Sequence, residues 1–237
     1  MGPGSLLDMT PRARQAIETA DAVVGYFRYL ELIEPLLAGK ETIGTGMTKE
    51  VDRCQAAIDL AAGGKNVAVI SSGDAGVYGM AGLVLELAQA VSAEVRPAVS
   101  VIPGLTAAGA AASLLGAPLM NDFAVISLSD LLTPWEVIQK RVEAAAAGDF
   151  AVALYNPKSH GRVKHIAVVR EIMLKHRSPA TPVGIVRQAS RQEQSVIISD
   201  LEKFIDQPMD MFSIVIIGNS RTYVKDGRMI TPRGYEI

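Results

Sequence analysis

Apolar residues along the chain follow two alternating patterns: spaced clusters that suit helices and short continuous runs that suit buried strands. Thr10 and Pro11 supply an N-cap and a proline at the first helical position, and Ala13, Ala16, Ile17 and Ala20 recur at helical spacing, so a helix opens the chain. The run DAVVGY, ending at Tyr26, reads as a short strand, FRYLELIEPLLAG as a helix ending at Gly39, and 49–62 as another helix. From Val67 the run VAVI is apolar at consecutive positions, as in a strand covered on both faces. A glycine-punctuated turn then leads to a helix expected over 76–90, the strand-like VSVIPG, and LTAAGAAASLLGA, a helix of very small residues. After Pro118 the pattern restarts with FAVISL, a helix over 134–147, FAVALYNP and a helix over 163–176. The strands PVGIV, QSVIIS and SIVIIGN follow, and Lys225-Asp226-Gly227-Arg228 reads as a hairpin turn. The expected fold is α/β with two domains, 1–120 around a largely parallel sheet and 121–237 around a mixed one, with the boundary at 118–121.

Composition narrows the function classes. With 237 residues, 49% of them apolar, the chain can bury a sizeable core. A formal net charge of -2 provides no global basic field for nucleic acid or an anionic membrane. One cysteine, Cys54, excludes an intramolecular disulfide and any cysteine-rich metal site, which fits a reducing cytoplasm. No charged-then-apolar leader opens the chain, and charges interrupt every apolar stretch before membrane-spanning length, so a soluble protein is expected.

The turn in VAVISSGDAGVYGMAG poses the chemical question. A strand, a glycine turn and a helix suit a phosphate, but the glycines fall at 73, 76 and 79, which matches neither phosphate-binding fingerprint. Asp74 inside the turn repels pyrophosphate and favours a neutral or cationic guest, or one offering hydroxyls; the plainer alternative is that it caps the following helix. Loops leaving the C-terminal ends of strands line ligand sites in such sheets. Those loops are MGPGSLLDMT, GYFRY, SSGDAGVYG, IPGLTAA, LYNPKSHGR and VRQAS. His160 and His165, five apart across a loop-to-helix junction, make poor metal ligands, and no metal site is expected; His165 and His176 read as surface residues.

GPGSLLDMTPRA, SSGDAGVYG, IPGLTAA and ALYNP occur in the order and spacing of the tetrapyrrole methylase family, the corrin and porphyrin enzymes that use S-adenosylmethionine, and the resemblance covers essentially the whole chain. VVGYFRY and YNPKSHGR most resemble the branch that methylates precorrin-3B at C17, with contraction of the ring, in cobalamin biosynthesis. The resemblance implies a cytoplasmic homodimer acting on a precorrin, with the methyl donor folded between the two domains. By motif matching it places Gly73, Asp74, Val77, Thr106, Ala107, Tyr155, Asn156, Ala189 and Gly218 at the donor. Tyr26, Arg28 and His160 are candidates for catalysis, with Asp8, Tyr29 and Arg162 also near the expected mouth, and Pro3, Lys158, Arg162 and Arg187 for substrate contact.

A polycarboxylate substrate agrees with local charge. Residues 157–177 hold six Lys or Arg against one acid, Glu171, although Arg170, Lys175 and Arg177 read as an ordinary solvated helix face. Two departures from the family pattern stand out: Ala75 follows Asp74 where proline is common, and the chain starts at Met1-Gly2-Pro3-Gly4, so the usual first strand is expected to be missing and its neighbours' edges open. The competing readings are another precorrin methylase, a diphthine synthase, and, in a different class, a dinucleotide-dependent dehydrogenase or non-catalytic binding module.

Overall fold

The computed structural model describes residues 1–159 and 161–236, which form two compact units, Met1–Ala107 and Ala108–Ile237. In the first unit, α1 (Pro11–Glu18) precedes β1 (Ala22–Tyr26), α2 (Phe27–Leu32), β2 (Glu41–Thr45), α3 (Glu50–Ala62), β3 (Val67–Val69) and α4 (Ala81–Gln89). The Thr10 hydroxyl accepts from the Ala13 amide at 3.1 Å and Pro11 sits in the first turn, as the sequence predicts. The sheet has the order β2-β1-β3, all parallel, with Tyr26 opposite Thr45 and Val24 opposite Val69. Ala22, Val23 and Val24 are fully buried at its centre.

Three expectations change here. The helix expected to run to Gly39 stops at Leu32 and resumes as a single tight turn, Glu34–Leu36, because Pro35 has no amide to continue the helical bonding. The helix expected from residue 76 starts only at Ala81, since 71–80 are consumed by the turn. VSVIPG joins no strand ladder: a cavity of about 340 Å³ lies alongside it and β3, lined by Val67, Val69, Val99 and Val101 among others. At the same place the Met1 ammonium donates to the carbonyls of Ser71 (3.0 Å) and Gly73 (3.3 Å). Burial pushes its pKa down, against the opposing pull of the Asp74 charge.

Cys54 is fully enclosed in the α3–α4 cluster with Ile58, Val84 and Ala88, and burial pushes its thiol pKa up. A protonated, enclosed thiol is a poor nucleophile. Native protein at pH 8 is therefore expected to resist iodoacetamide, with alkylation of Cys54 seen by mass spectrometry only after denaturation; labelling of the native protein at the denatured rate contradicts this.

The second unit contains α5 (Ala107–Leu115, whose first residue closes the first unit), β4 (Gly116–Ala117), β5 (Phe123–Ser127), α6 (Trp135–Ala147), β6 (Ala151–Tyr155), α7 (His165–Leu174), β7 (Pro182–Arg187), β8 (Ser195–Asp200), β9 (Ser213–Ile217), β10 (Tyr223–Lys225) and β11 (Arg228–Ile230). The segment before 118 packs with this unit because β4 pairs in parallel with β11, and the Thr231 hydroxyl donates to the Pro118 carbonyl at 2.6 Å. The larger sheet is mixed, ordered β5-β6-β9-β7-β8; β5, β6 and β7 run one way and β8 and β9 the other. Its core is Val152, Leu154, Val183, Ile185, Val215 and Ile217, covered by Val142 of α6 and Val169 and Met173 of α7. Asp226 and Gly227 both take positive φ, 49° and 71°, which gives the β10–β11 hairpin the twist that two-residue turns require.

Candidate functional site

In the first unit three loops meet at the C-terminal end of the parallel strands. Gly2 and Gly73 exchange backbone hydrogen bonds (Gly2 N to Gly73 O 3.1 Å, Gly73 N to Gly2 O 2.8 Å), which brings Pro3 and the 73–79 turn together. Both glycines hold positive φ, 75° and 70°, where a side chain is strained. Asp74 Oδ1 accepts from the Gly76 amide and Oδ2 from the Gly104 amide, each at 2.8 Å. Its helix-cap reading is thereby corrected: α4 starts at Ala81, and the Met80 amide donates instead to Ser71 Oγ at 3.0 Å. The Thr10 hydroxyl also donates to the Pro103 carbonyl at 3.2 Å. Gly73, Asp74, Val77, Thr106 and Ala107 thus belong to one cluster: the Val77 amide donates to Asp74 O at 3.3 Å, and a Cβ on Gly73 would stand 3.6 Å from the Ala107 nitrogen.

An ionised carboxylate has about four acceptor sites, so after its two amide bonds Asp74 retains capacity for an ammonium or a hydroxyl. The glycine at 104 keeps the turn and its neighbour in backbone contact. The cluster therefore fits a cationic, hydroxyl-bearing guest and disfavours a pyrophosphate.

Tyr26 ends β1 at the same sheet edge, its ring 4.7 Å from Phe27 and 5.2 Å from Tyr29. Arg28 lies 5.7 Å over the Phe27 ring. Both catalytic candidates are thus set in an aromatic cluster. His160, the third, lies outside the described residues.

The second unit gathers its polar residues where β5, β6 and β7 end. Tyr155 closes β6, and its hydroxyl accepts from the Ala108 amide at 3.0 Å. Asn156, at φ 53°, donates from Nδ2 to Ser127 Oγ at 3.0 Å. Ala189 is buried between two residues of positive φ, Gln188 and Ser190. Gly218 is not among them: β9 is antiparallel to β6, so Gly218 follows Ile217 at the opposite end of the sheet, where its carbonyl accepts from Arg177.

Two of the basic residues expected at the substrate are otherwise engaged. Arg187 donates from Nε to Asp210 Oδ2 at 2.7 Å and faces Glu193 at 3.5 Å; the Asp210 bond raises its pKa, so its fork is already held by acids. Arg162, 9% exposed, donates to the Asn156 carbonyl at 3.3 Å and lies 3.6 Å from Asp130 Oδ1. Lys158, half-buried in the same loop, has no hydrogen-bond or ion-pair partner among the described residues and remains able to meet an anion.

Sequence reasoning missed Asp130 and placed His165 on the surface. His165 Nε2 is 3.0 Å from Asp130 Oδ2, and its ring packs on Trp135 with centroids 4.0 Å apart. Desolvation pushes the Asp130 carboxyl up, but its own backbone amide, the His165 bond and the charges of His165 and Arg162 outweigh it and hold the pKa below the usual carboxylate value. The segment SLSDLLTPW leaves a strand end like the other loops, which is the signal that could have found it. No group of three His, Cys, Asp or Glu able to hold a metal occurs among the described residues. No helix among them is long and apolar enough to cross a membrane.

A family model described as Tetrapyrrole (Corrin/Porphyrin) Methylases matches residues 1–205. A "Probable cobalt-factor III C(17)-methyltransferase" of Salmonella typhimurium is 53% identical over 100% of this chain and 98% of its own length. A "Cobalt-factor III methyltransferase" of Priestia megaterium is 52% identical over 99% of this chain but 44% of its own length, so the chain spans less than half of that relative. Among solved structures, the methyltransferase CobJ superposes with a TM-score of 0.90 at 36% identity, covering 98% of this chain and 96% of that one. A uroporphyrin-III C-methyl transferase of Thermus thermophilus, complexed with S-adenyl homocysteine, has a TM-score of 0.66 at 22% identity over 92% of this chain and 89% of that one, a likeness of fold.

Proposed function

The chain belongs to the tetrapyrrole (corrin/porphyrin) methylases, and on that footing we propose that it methylates C17 of a cobalt-factor III type ring in cobalamin biosynthesis, with S-adenosylmethionine as donor. The observation that carries the donor assignment is the Asp74 tie: one carboxylate joins the 73–79 turn to the 103–107 loop and keeps acceptor capacity for an ammonium or ribose hydroxyls. When bound, the donor supplies a methyl group already activated on a cationic sulfur. The protein's task is then mainly alignment and exclusion of water. Gly73, Asp74, Val77, Thr106 and Ala107 hold the donor in this reading.

Lys158 meets a substrate carboxylate, while Arg162 and Arg187 shape the loops that present it. Cobalt enters as part of the substrate, in keeping with the names of the two curated relatives. A cytoplasmic homodimer belongs to the same reading.

Calorimetric titration separates this function from a dinucleotide-dependent one. S-adenosylhomocysteine is expected to bind and NAD to give no heat of binding; tight binding of NAD alone overturns the proposal. Incubation with donor and either the cobalt-bearing or the metal-free ring, followed by NMR of the product, is expected to place a new methyl at C17 and to give faster turnover of the cobalt-bearing ring.

A further inference from the structure

The pair Asp130–His165 lies outside every motif that suggested the function, yet it occupies the same sheet end as Tyr155 and Asn156. Four contacts build it into the unit: Asn156 to Ser127 Oγ (3.0 Å), Ser129 N to Ser127 Oγ (3.2 Å), Arg162 to the Asn156 carbonyl (3.3 Å) and Arg162 to Asp130 (3.6 Å). The ionised Asp130 carboxylate only accepts, so a neutral His165 carries its hydrogen on Nε2, facing Asp130 at 3.0 Å. That leaves the lone pair on Nδ1, which has no partner among the described residues. Trp135 packs against the imidazole and fixes its plane, and the ring side chain is 17% exposed. Immediately after Asp130, Leu131 (76% exposed) and Leu132 (98% exposed) stand in solvent. A basic nitrogen held by a carboxylate, beside an exposed apolar step, suits a large flat ring that must lose a proton.

Resting on the methyltransferase reading above, we infer that His165 is the base of the reaction, Asp130 its positioning residue, and Leu131 and Leu132 an apolar seat for the macrocycle. In the step, a ring π bond gives its electron pair to the methyl carbon. The carbon–sulfur bond breaks with its pair going to sulfur, which becomes a neutral thioether. The ring has then gained one positive charge, and it is relieved when a C–H proton on a carbon next to the ring's conjugated system passes to His165 Nδ1, the C–H electron pair going into the ring; the four ring nitrogens, bound to cobalt, carry no proton to give. The imidazolium so formed is stabilised by the half-exposed Asp130 carboxylate, an acid orienting a histidine base.

The test is single-turnover methyl transfer to the cobalt-bearing ring by the full chain and its His165→Ala and Asp130→Asn variants, with S-adenosylhomocysteine affinity measured alongside. His165→Ala is expected to lower the rate about 10²- to 10⁴-fold, the usual contribution of a general base, with affinity for S-adenosylhomocysteine unchanged. Added imidazole is expected to restore part of the rate, first order in free imidazole, whereas it does not repair Asp130→Asn; Asp130→Glu recovers part of that loss. A merely structural histidine gives no such rescue. Should His165→Ala fail to fold, His165→Gln replaces it, read by rate alone against the same imidazole series. An unchanged rate, or a loss that imidazole never relieves, overturns the assignment. Absence of any methyl transfer by the unaltered chain overturns the underlying function instead, which keeps the two failures distinguishable.

Discussion

Replacing Gly104 with alanine is expected to weaken S-adenosylhomocysteine binding about five- to a hundredfold while the protein stays folded. A Cβ at this position would stand 2.3 Å from the Gly73 carbonyl oxygen, 3.2 Å from its carbon and 3.4 Å from Asp74 Cα. All three are backbone atoms, so no side chain can swing aside. The 103–107 loop and the 73–79 turn must part, and the Gly104 amide loses its bond to Asp74 Oδ2. Overpacking of this kind costs about 1–3 kcal/mol, and each 1.4 kcal/mol is tenfold in a dissociation constant. Gly82→Ala is the control. That glycine lies inside α4 with nothing within 4 Å of its added Cβ, so the change is expected to leave binding untouched and to stabilise the helix slightly. Titration calorimetry on both variants decides the matter. Gly104→Ala binding within twofold of the parent means that the loop pairing does not form the donor site.

How far the sequence discloses this molecule can be read from individual elements. β1, β6 and β9 are legible because their buried residues are consecutive and apolar, and the β10–β11 turn because Asp-Gly admits the positive φ it needs. β2 (Glu41–Thr45) escapes notice because only the parallel edge of β1 makes ETIGT a strand; its own residues are half-exposed and mostly polar. VSVIPG misleads in the opposite sense, with strand-like residues and no adjacent ladder to join. At the site, the glycines and Asp74 carry their local signal, but the Asp74–Gly104 bond spans 30 positions and the Asp130–His165 bond 35. Periodicity reports which face a residue takes, and it carries no information on which distant loop a sheet brings alongside.

Arg177 illustrates the same limit and gives the largest expected loss of stability. In the sequence it is one more cation at the end of a basic helix; in the structure its side chain is wholly enclosed. The guanidinium donates to the carbonyls of Gly218, Phe150 (2.6 Å) and Ala145 (3.5 Å), and lies 3.8 Å from Asp149. Asp149 in turn accepts from the Ser220 amide at 2.9 Å and hydroxyl at 2.6 Å. One planar fork thus joins the end of α6, the approach to β6 and the loop after β9. Burial pulls the Arg177 pKa down, against the opposing Asp149 charge, yet a guanidinium keeps its proton throughout the physiological range. Arg177→Ala leaves three carbonyls without their donor and a cavity beside them, a loss of about 3–5 kcal/mol. Arg177→Lys, whose single ammonium cannot reach all three acceptors, is expected to lose less but still more than about 1 kcal/mol. Urea unfolding followed by the fluorescence of Trp135, in the same unit, gives both values. Because the group is enclosed, the loss is expected to persist in high salt, where an exposed ion pair fades. A midpoint shift worth less than about 1 kcal/mol for Arg177→Ala, or one abolished by salt, returns Arg177 to the solvated helix face that its sequence position suggests.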